Sequence, residues 1–254
     1  MIGELPTDEQ LFVASETAYA NTYREKRDTW STLPLPPNTD IWANRIRTLA
    51  AELGIEPSVA DFGSGAGYKA DQLASDYGFK VTGIEYTSEG VAIARSRSRH
   101  PDLTDRVSFM QGDLRYLSDM FPDNSFVGGI DYQALASVPE KLWPKVVKGY
   151  HDVLVPRGHL IVNYIQRDSN GGAEFHGLVE DQLRDRRWIV FEPDPKNPAH
   201  QTEECKKGMY IYFTDQLQSA DLFARYFKVK EAIPHLHPNG KRNLLTVLYE
   251  SSKK

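Results

Sequence analysis

The chain has 254 residues, 40 % hydrophobic and 26 % charged, enough for one α/β domain, since a chain of about 250 residues buries roughly three quarters of its extended surface. A net charge of −5 argues against a surface that holds polyanions by bulk attraction, and a single cysteine, Cys205, excludes an intrachain disulfide. The opening Met1–Gln10 has no basic start followed by an apolar stretch, and no apolar run reaches membrane-spanning length, so a soluble cytoplasmic protein is expected.

In chain order, the periodicity predicts an amphipathic helix near 7–28, a proline-rich link at Leu33–Pro37, and a helix near 41–53 that delivers the chain to the first strand. Strands are expected near 58–62, 80–85, 106–111, 126–131 and 157–164, with helices around 67–77, 88–99, 114–119 and 139–153 between them. That alternation demands a mainly parallel sheet. The arginines at 95, 97 and 99 lie on the outer face of the 88–99 helix, opposite Val91, Ala92 and Ala94, and read as a solvated face. Residues 167–209 are long for an α/β connection, so a lid or small subdomain is expected there, with a purely structural cover as the alternative. Late strands near 208–213 and 243–250 flank a helix at about 214–226. The chain is read as one domain: a helical cap over 1–40, a core over 58–165, the 167–209 insertion, and a closing 210–250 segment.

The stretch Val59-Ala-Asp-Phe-Gly-Ser-Gly-Ala-Gly67 carries the strongest functional signal. Three glycines at alternate positions after a short apolar run mark a strand turning sharply into a helix, where backbone approaches a ligand and free N–H groups face it. A dinucleotide loop would need a glycine at position 68, and Tyr68 stands there. Asp61, two residues before the first glycine, suits a cationic ligand end better than a phosphate. Glu85 ends the second strand 22 residues after Gly63, where an acceptor for a ribose diol sits in a nucleotide-binding βαβ unit. Gly112-Asp113-Leu114 ends the third, offering a carboxylate to an exocyclic adenine amine.

In that order, Asp61-x-Gly63-x-Gly65-x-Gly67, Glu85 and Gly112-Asp113 resemble the cofactor motifs of class I, Rossmann-like S-adenosylmethionine-dependent methyltransferases. The resemblance runs from about Ser58 to Val162 and takes in Phe121-Pro-Asp-Asn-Ser-Phe126 and Leu154-Val-Pro-Arg-Gly-His-Leu-Ile-Val162. It implies a seven-stranded, mostly parallel sheet with helices on both faces and a reversed final strand. It also implies S-adenosylmethionine as cofactor. Asp61, Gly63, Ser64, Gly65 and Gly67 would hold the methionine end, Glu85 the ribose, and Gly112, Asp113 and Leu114 the adenine, with Tyr86 on the adenine face. Asp131 adds a contact past the fourth strand. The chain departs from the family in having Phe126-Val127 where many members have Phe-Asp, and Gln133 where an Asp-x-Gly-x-Leu variant has glycine.

Methyl transfer is an in-line displacement, so positioning dominates, and a base is needed only when the acceptor is protonated. Asp131, Tyr132 and His176 are the catalytic candidates. Tyr19, Tyr23, Trp30, Tyr132, Gln133 and Tyr164 are the substrate candidates, although Tyr19 and Tyr23, at i, i+4 spacing on one helix face, serve equally well as packing aromatics. His200, His235 and His237 are further possible bases that fit structural positions as readily. No metal is expected, because His235-Leu-His237 lacks further ligands at fixed spacing. The leading function is methylation of a small molecule at oxygen or nitrogen, with no membrane partner. Protein or RNA methylation, a non-catalytic S-adenosylmethionine-binding protein and a nicotinamide oxidoreductase are the alternatives. Nucleic acid is disfavoured by the acidic charge and by Ile130-Asp-Tyr-Gln133 where amino-group methyltransferases of DNA carry an Asn/Asp-Pro-Pro-aromatic motif.

Overall fold

The computed structural model describes residues 8–24, 33–97, 103–165, 178–180, 188–191, 210–212, 216–236 and 243–253. Helix α1 (Asp8–Arg24) precedes α2 (Thr39–Leu53), and β1 (Ser58–Phe62), α3 (Tyr68–Tyr77), β2 (Lys80–Glu85), α4 (Ser88–Arg97) and β3 (Val107–Gln111) follow. After a 3-10 turn at Leu114–Tyr116 come α5 (Leu117–Met120), β4 (Phe126–Tyr132), α6 (Trp143–Val153) and β5 (Leu154–Ile165). The rest comprises β6 (Leu178–Glu180), β7 (Trp188–Phe191), β8 (Tyr210–Tyr212), α7 (Gln216–Ala224), β9 (Phe227–Leu236) and β10 (Asn243–Ser251).

The main sheet has seven strands in the order β3-β2-β1-β4-β5-β10-β9. Its first five strands pair in parallel, and β10 runs antiparallel to both β5 and β9. Connections lead in one direction from β1 to β3 and in the other from β1 through β4, so the order reverses beside β1. At such a switch point the strand ends part and a ligand crevice opens at their carboxyl ends.

Helices on both faces explain why the central strands are apolar throughout rather than alternating: β4 is buried from Phe126 to Asp131. One face packs α5, α6 and α7 through Trp143, Val146, Val147, Tyr150 and Phe223, and the other packs α2, α3 and α4 through Trp42, Ile46, Leu73 and Val91. Phe62 stacks on Tyr150 at 4.3 Å between ring centroids, and Phe223 on Tyr249 at 4.4 Å. Each fully buried aliphatic or aromatic chain of this kind contributes about 1.5–3 kcal/mol of burial free energy. Gly128 lets α2 sit close to the sheet, since a Cβ there would lie 2.2 Å from Cδ1 of Ile46.

Three sequence expectations are corrected. The strand expected at 208–213 is β8, and it joins β7 and β6 in a separate three-stranded antiparallel sheet. The strand beside β10 is instead β9, which the sequence reading passed over. Lys228, Lys230, Glu231 and Pro234 make that segment read as loop, yet charges and proline belong on an edge strand, where one side faces water. The fifth strand begins at Leu154 rather than 157, because Pro156-Arg157-Gly158 is an irregularity within it and not a preceding turn; Arg157 takes φ 61° and the register with β4 shifts there. The helix expected from 139 starts at Trp143, with Pro144 in its first turn, where a missing N–H costs nothing. The expected helix end at 25–28 and most of the 167–209 insertion lie outside the described residues.

Candidate cofactor and active site

The glycine loop is built where β1 ends. Backbone N–H groups of Gly63 and Ser64 both donate to Ile84 O on β2, at 2.8 and 2.9 Å, and Gly67 N–H donates to Ser64 O at 2.9 Å before α3 begins. Gly63 has φ 74°, and a Cβ on it would stand 2.3 Å from Cβ of Ala134 in the turn after β4. Glycine is therefore required on two grounds, conformation and space. Asp61 lies in the last turn of strand before this loop and is 1 % exposed. It accepts from the Ala70 amide at the start of α3, while its Oδ2 has no hydrogen-bond partner among the described residues. Burial pushes its carboxyl up to about 7; Lys69 opposes that shift, and the charges of Asp131 and Glu85 reinforce it.

Glu85 ties the end of β2 to the loop. It accepts from Gly65 N at 3.1 Å, Thr87 N at 2.9 Å and Thr87 Oγ1 at 2.7 Å. Burial raises its pKa despite those donors. Tyr86 next to it packs against Phe12 and Tyr19, with centroids 5.6 and 6.0 Å away, and its buried hydroxyl has no hydrogen-bond partner among the described residues. At the end of β3, Gly112 N–H donates to Glu85 O at 2.9 Å. Asp113 caps the 3-10 turn through Arg115 N at 2.8 Å and pairs with the Arg115 guanidinium at 2.6 Å, while Leu114 is buried beneath. Arg115 in turn lies 3.7 Å over the ring of Phe12 on α1.

The structure thus gathers Asp61, Gly63, Ser64, Gly65, Gly67, Glu85 and Tyr86 at the carboxyl ends of β1 and β2, with Gly112, Asp113 and Leu114 beside them at the end of β3. Three buried polar atoms there, Asp61 Oδ2, Ser64 Oγ and Tyr86 Oη, have no partner among the described residues. Buried polar groups are normally bonded, so such a concentration marks a place for a ligand. An unpartnered carboxylate oxygen and two unpartnered hydroxyls suit a ligand rich in hydrogen-bond donors, such as the ammonium and diol of an amino-acid nucleoside.

Beyond β4 the expectations fare unevenly. Asp131 is fully buried and uses both oxygens on the fold, accepting from Ala134 N at 2.6 Å, Leu135 N at 3.1 Å and Tyr150 Oη at 2.6 Å. Burial raises it to about 6, and those donors hold it from rising further. Asp131, expected as a catalytic or ligand-contacting group, thus fastens the turn after β4. Tyr164, expected as a substrate contact, packs its ring on Phe223, and its hydroxyl meets that of Tyr249 at 3.0 Å inside the core. Tyr19 reaches Ser137 Oγ at 2.8 Å, and Tyr23 is buried beside Gly90, so both cover the Tyr86 side of the pocket.

Gln133 has φ 70°, rare for a residue with a side chain, and donates through Nε2 to Asn163 Oδ1 at 2.8 Å. Asn163 continues to Thr246 Oγ1 at 3.0 Å and His235 Nε2 at 3.2 Å, so one polar chain runs from the residue after β4 through the carboxyl-terminal part of β5 and the amino-terminal part of β10 to the carboxyl end of β9. Tyr132, pushed by burial to about 12, has Lys69 Nζ 4.1 Å from its ring centroid. Lys69, Thr87, Tyr150 and Asn163 escaped the sequence reading. A lysine four residues before Leu73, on the buried face of α3, was the signal available for the first. Trp30, His176, His200, Cys205 and His237 lie outside the described residues. Among the described residues no group of three histidine, cysteine or acidic side chains could hold a metal ion, and no helix is long and apolar enough to cross a membrane.

Residues 59–158 match a family model described as a methyltransferase domain. The chain is 33 % identical over 93 residues to a sterol 24-C-methyltransferase of Gibberella zeae, covering 36 % of this chain and 24 % of that protein. It is 30 % identical over 120 residues to ribosomal RNA large subunit methyltransferase E of Syntrophobacter fumaroxidans, covering 46 % of this chain and 56 % of that one. It therefore spans about a quarter and about half of the lengths of these relatives. The fold is that of 1,6-didemethyltoxoflavin-N1-methyltransferase of Burkholderia thailandensis, solved with S-adenosylhomocysteine bound, with TM-score 0.65, 17 % identity, and coverage of 100 % of this chain and 94 % of that one. With the strand order, the glycine loop and the three acids in place, residues 59–158 form a methyltransferase domain on the class I, Rossmann-like fold that S-adenosylmethionine-dependent methyltransferases share.

Proposed function

We propose that this chain methylates a small-molecule acceptor at oxygen or nitrogen in a cytoplasmic setting. The observation that carries the reading is the enclosure of the pocket by α1. Tyr19 bonds to Ser137 after β4, Arg24 pairs with Glu89 on α4, and Phe12 lies under Arg115 after β3. One helix thus lies across the carboxyl ends of β2, β3 and β4, an arrangement that favours a small acceptor over a polymer laid on an open face.

Bound S-adenosylmethionine supplies an electrophilic methyl group on a sulfonium. In this reading Asp61 takes the ammonium, Glu85 the ribose diol and Asp113 the adenine edge, while Tyr132 and Gln133 face the acceptor. The polar chain behind Gln133 holds its amide with Nε2 committed to Asn163, which leaves Oε1 to accept from an acceptor N–H or O–H. Fixing the acceptor in line with the methyl is the main contribution the protein makes to the rate.

The test is thermal shift with S-adenosylhomocysteine, followed by transfer of labelled methyl to a metabolite panel and to ribosomal RNA. We expect stabilisation by S-adenosylhomocysteine that is absent in Asp61→Ala and Glu85→Ala, and label in at least one metabolite. Label in RNA alone would replace this reading with the second one, which the 30 % identity to an RNA enzyme favours. Binding with no turnover on any acceptor would leave a non-catalytic binding protein.

A further inference from the structure

Lys69 is a buried cation that the cofactor motifs leave without a role. It stands at the second position of α3, 8 % exposed, on the same buried face as Leu73. Its ammonium carries three donors. Among the described residues it makes one long hydrogen bond, to Leu33 O at 3.4 Å, and otherwise lies over the Tyr132 ring. Asp61, the opposite charge in the same pocket, keeps Oδ2 without a hydrogen bond, so the two groups influence each other without being joined. Burial pulls the lysine down to about 8 while Asp61 pulls it back up. Two opposite buried charges with unused hydrogen-bonding capacity match a ligand end that carries both charges itself, and an α-amino acid carries its ammonium and carboxylate on one carbon.

We propose that Lys69 binds the α-carboxylate of the cofactor's methionine end, opposite the ammonium held by Asp61, so that the pair recognises the amino acid as a zwitterion. Lys69 is then the residue that separates the intact cofactor from nucleosides that have lost the amino-acid end. The proposal rests on S-adenosylmethionine being the cofactor and is independent of the acceptor. The Tyr132 ring backs the lysine from the end of β4.

The experiment is calorimetric titration of the full chain with three probes: S-adenosylhomocysteine, 5′-methylthioadenosine, which lacks the amino acid, and decarboxylated S-adenosylhomocysteine, which keeps only the ammonium. Wild type should bind S-adenosylhomocysteine at least ten times more tightly than its decarboxylated form. Lys69→Met, which keeps the apolar stem, should weaken S-adenosylhomocysteine roughly ten- to hundredfold, the range of a charged hydrogen bond. It should leave 5′-methylthioadenosine within about threefold and abolish the preference for the carboxylate. Lys69→Arg should retain most of that preference. Equal loss for all three probes would show a structural charge balance and overturn the assignment, as would tighter S-adenosylhomocysteine binding in Lys69→Met, the sign of a lysine that competes for Asp61. If Lys69→Met does not fold, a wild-type ratio below threefold between S-adenosylhomocysteine and its decarboxylated form is enough to overturn it. Wild type that binds 5′-methylthioadenosine and S-adenosylhomocysteine equally refutes the Lys69 role alone, whereas binding of neither nucleoside refutes the cofactor as well.

Discussion

The two sides of the crevice are built on opposite rules. Around β1 and β2, Asp61 Oδ2, Ser64 Oγ and Tyr86 Oη are buried without partners, and the lysine nearby has one long bond. Around β4, β5, β10 and β9, the polar groups satisfy one another: Asp131 with Tyr150 and two amides, and Gln133 with Asn163, Thr246 and His235. The first side keeps unmet polar atoms beside a satisfied Glu85, and the second satisfies its polar groups within the fold. A crevice that must bind a common cofactor and place an acceptor accurately needs both, because unmet polar groups create affinity while a closed network creates geometry.

Gly63 is where the two sides touch, so its substitution breaks the comparison most severely. Gly63→Val demands a strained φ and drives a side chain into Ala134; together these should cost about 3–5 kcal/mol in denaturant unfolding and eliminate the thermal response to S-adenosylhomocysteine. Stability near wild type would mean that the loop and the turn after β4 are not locked together.

Tyr150→Phe tests the closed side. The folded pKa of Asp131, about 6, lies above the unfolded value near 4, so its burial favours folding at low pH, and that contribution is lost as pH rises through about 6. The Tyr150 bond offsets the loss by stabilising the anion. Removing it should cost about 1.5–3 kcal/mol at pH 8 and about 1 kcal/mol at pH 5, read by unfolding at both pH values. S-adenosylhomocysteine affinity should stay within about threefold; an equal cost at both pH values would refute the charged bond.

Tyr86→Phe and Ser64→Ala test the open side with the reverse signature. Deleting a buried hydroxyl that has no partner should leave the unliganded protein as stable as wild type or up to about 1 kcal/mol more so, while S-adenosylhomocysteine binds several-fold more weakly. Loss of stability in the unliganded state would show that these hydroxyls are bonded in solution. The smallest change in stability is expected for Gln133→Gly, where relief of the left-handed backbone and loss of the bond to Asn163 roughly cancel, each near 1 kcal/mol. Its effect should appear instead in the rate of methyl transfer once an acceptor is known.

Legibility in the sequence followed the same division. Ser58–Phe62 and Lys80–Glu85 were readable to the residue because short apolar runs end on turn-forming or acidic positions. β9 was not, since Lys228, Lys230, Glu231 and Pro234 make sense as a strand only once a neighbour is known to lie on one side alone. Asp131 was legible as an acid after the fourth strand but not as a buried cap, because Tyr150, its strongest donor, is 19 residues away on α6. Tyr164 looked like a pocket aromatic and proved to be core for a similar reason: Phe223 and Tyr249 come from the far end of the chain.

The sequence by itself determined the parallel α/β core and the glycine loop at its switch point, because alternate glycines before a helix and acids at successive strand ends are local patterns whose geometry follows from backbone sterics. Only the tertiary structure decided which of those acids is free to meet a ligand, which hydroxyls are left unbonded, and which lysine shares the pocket with Asp61. Those properties depend on partners brought from distant positions and on burial, and neither exists until the sheet has formed.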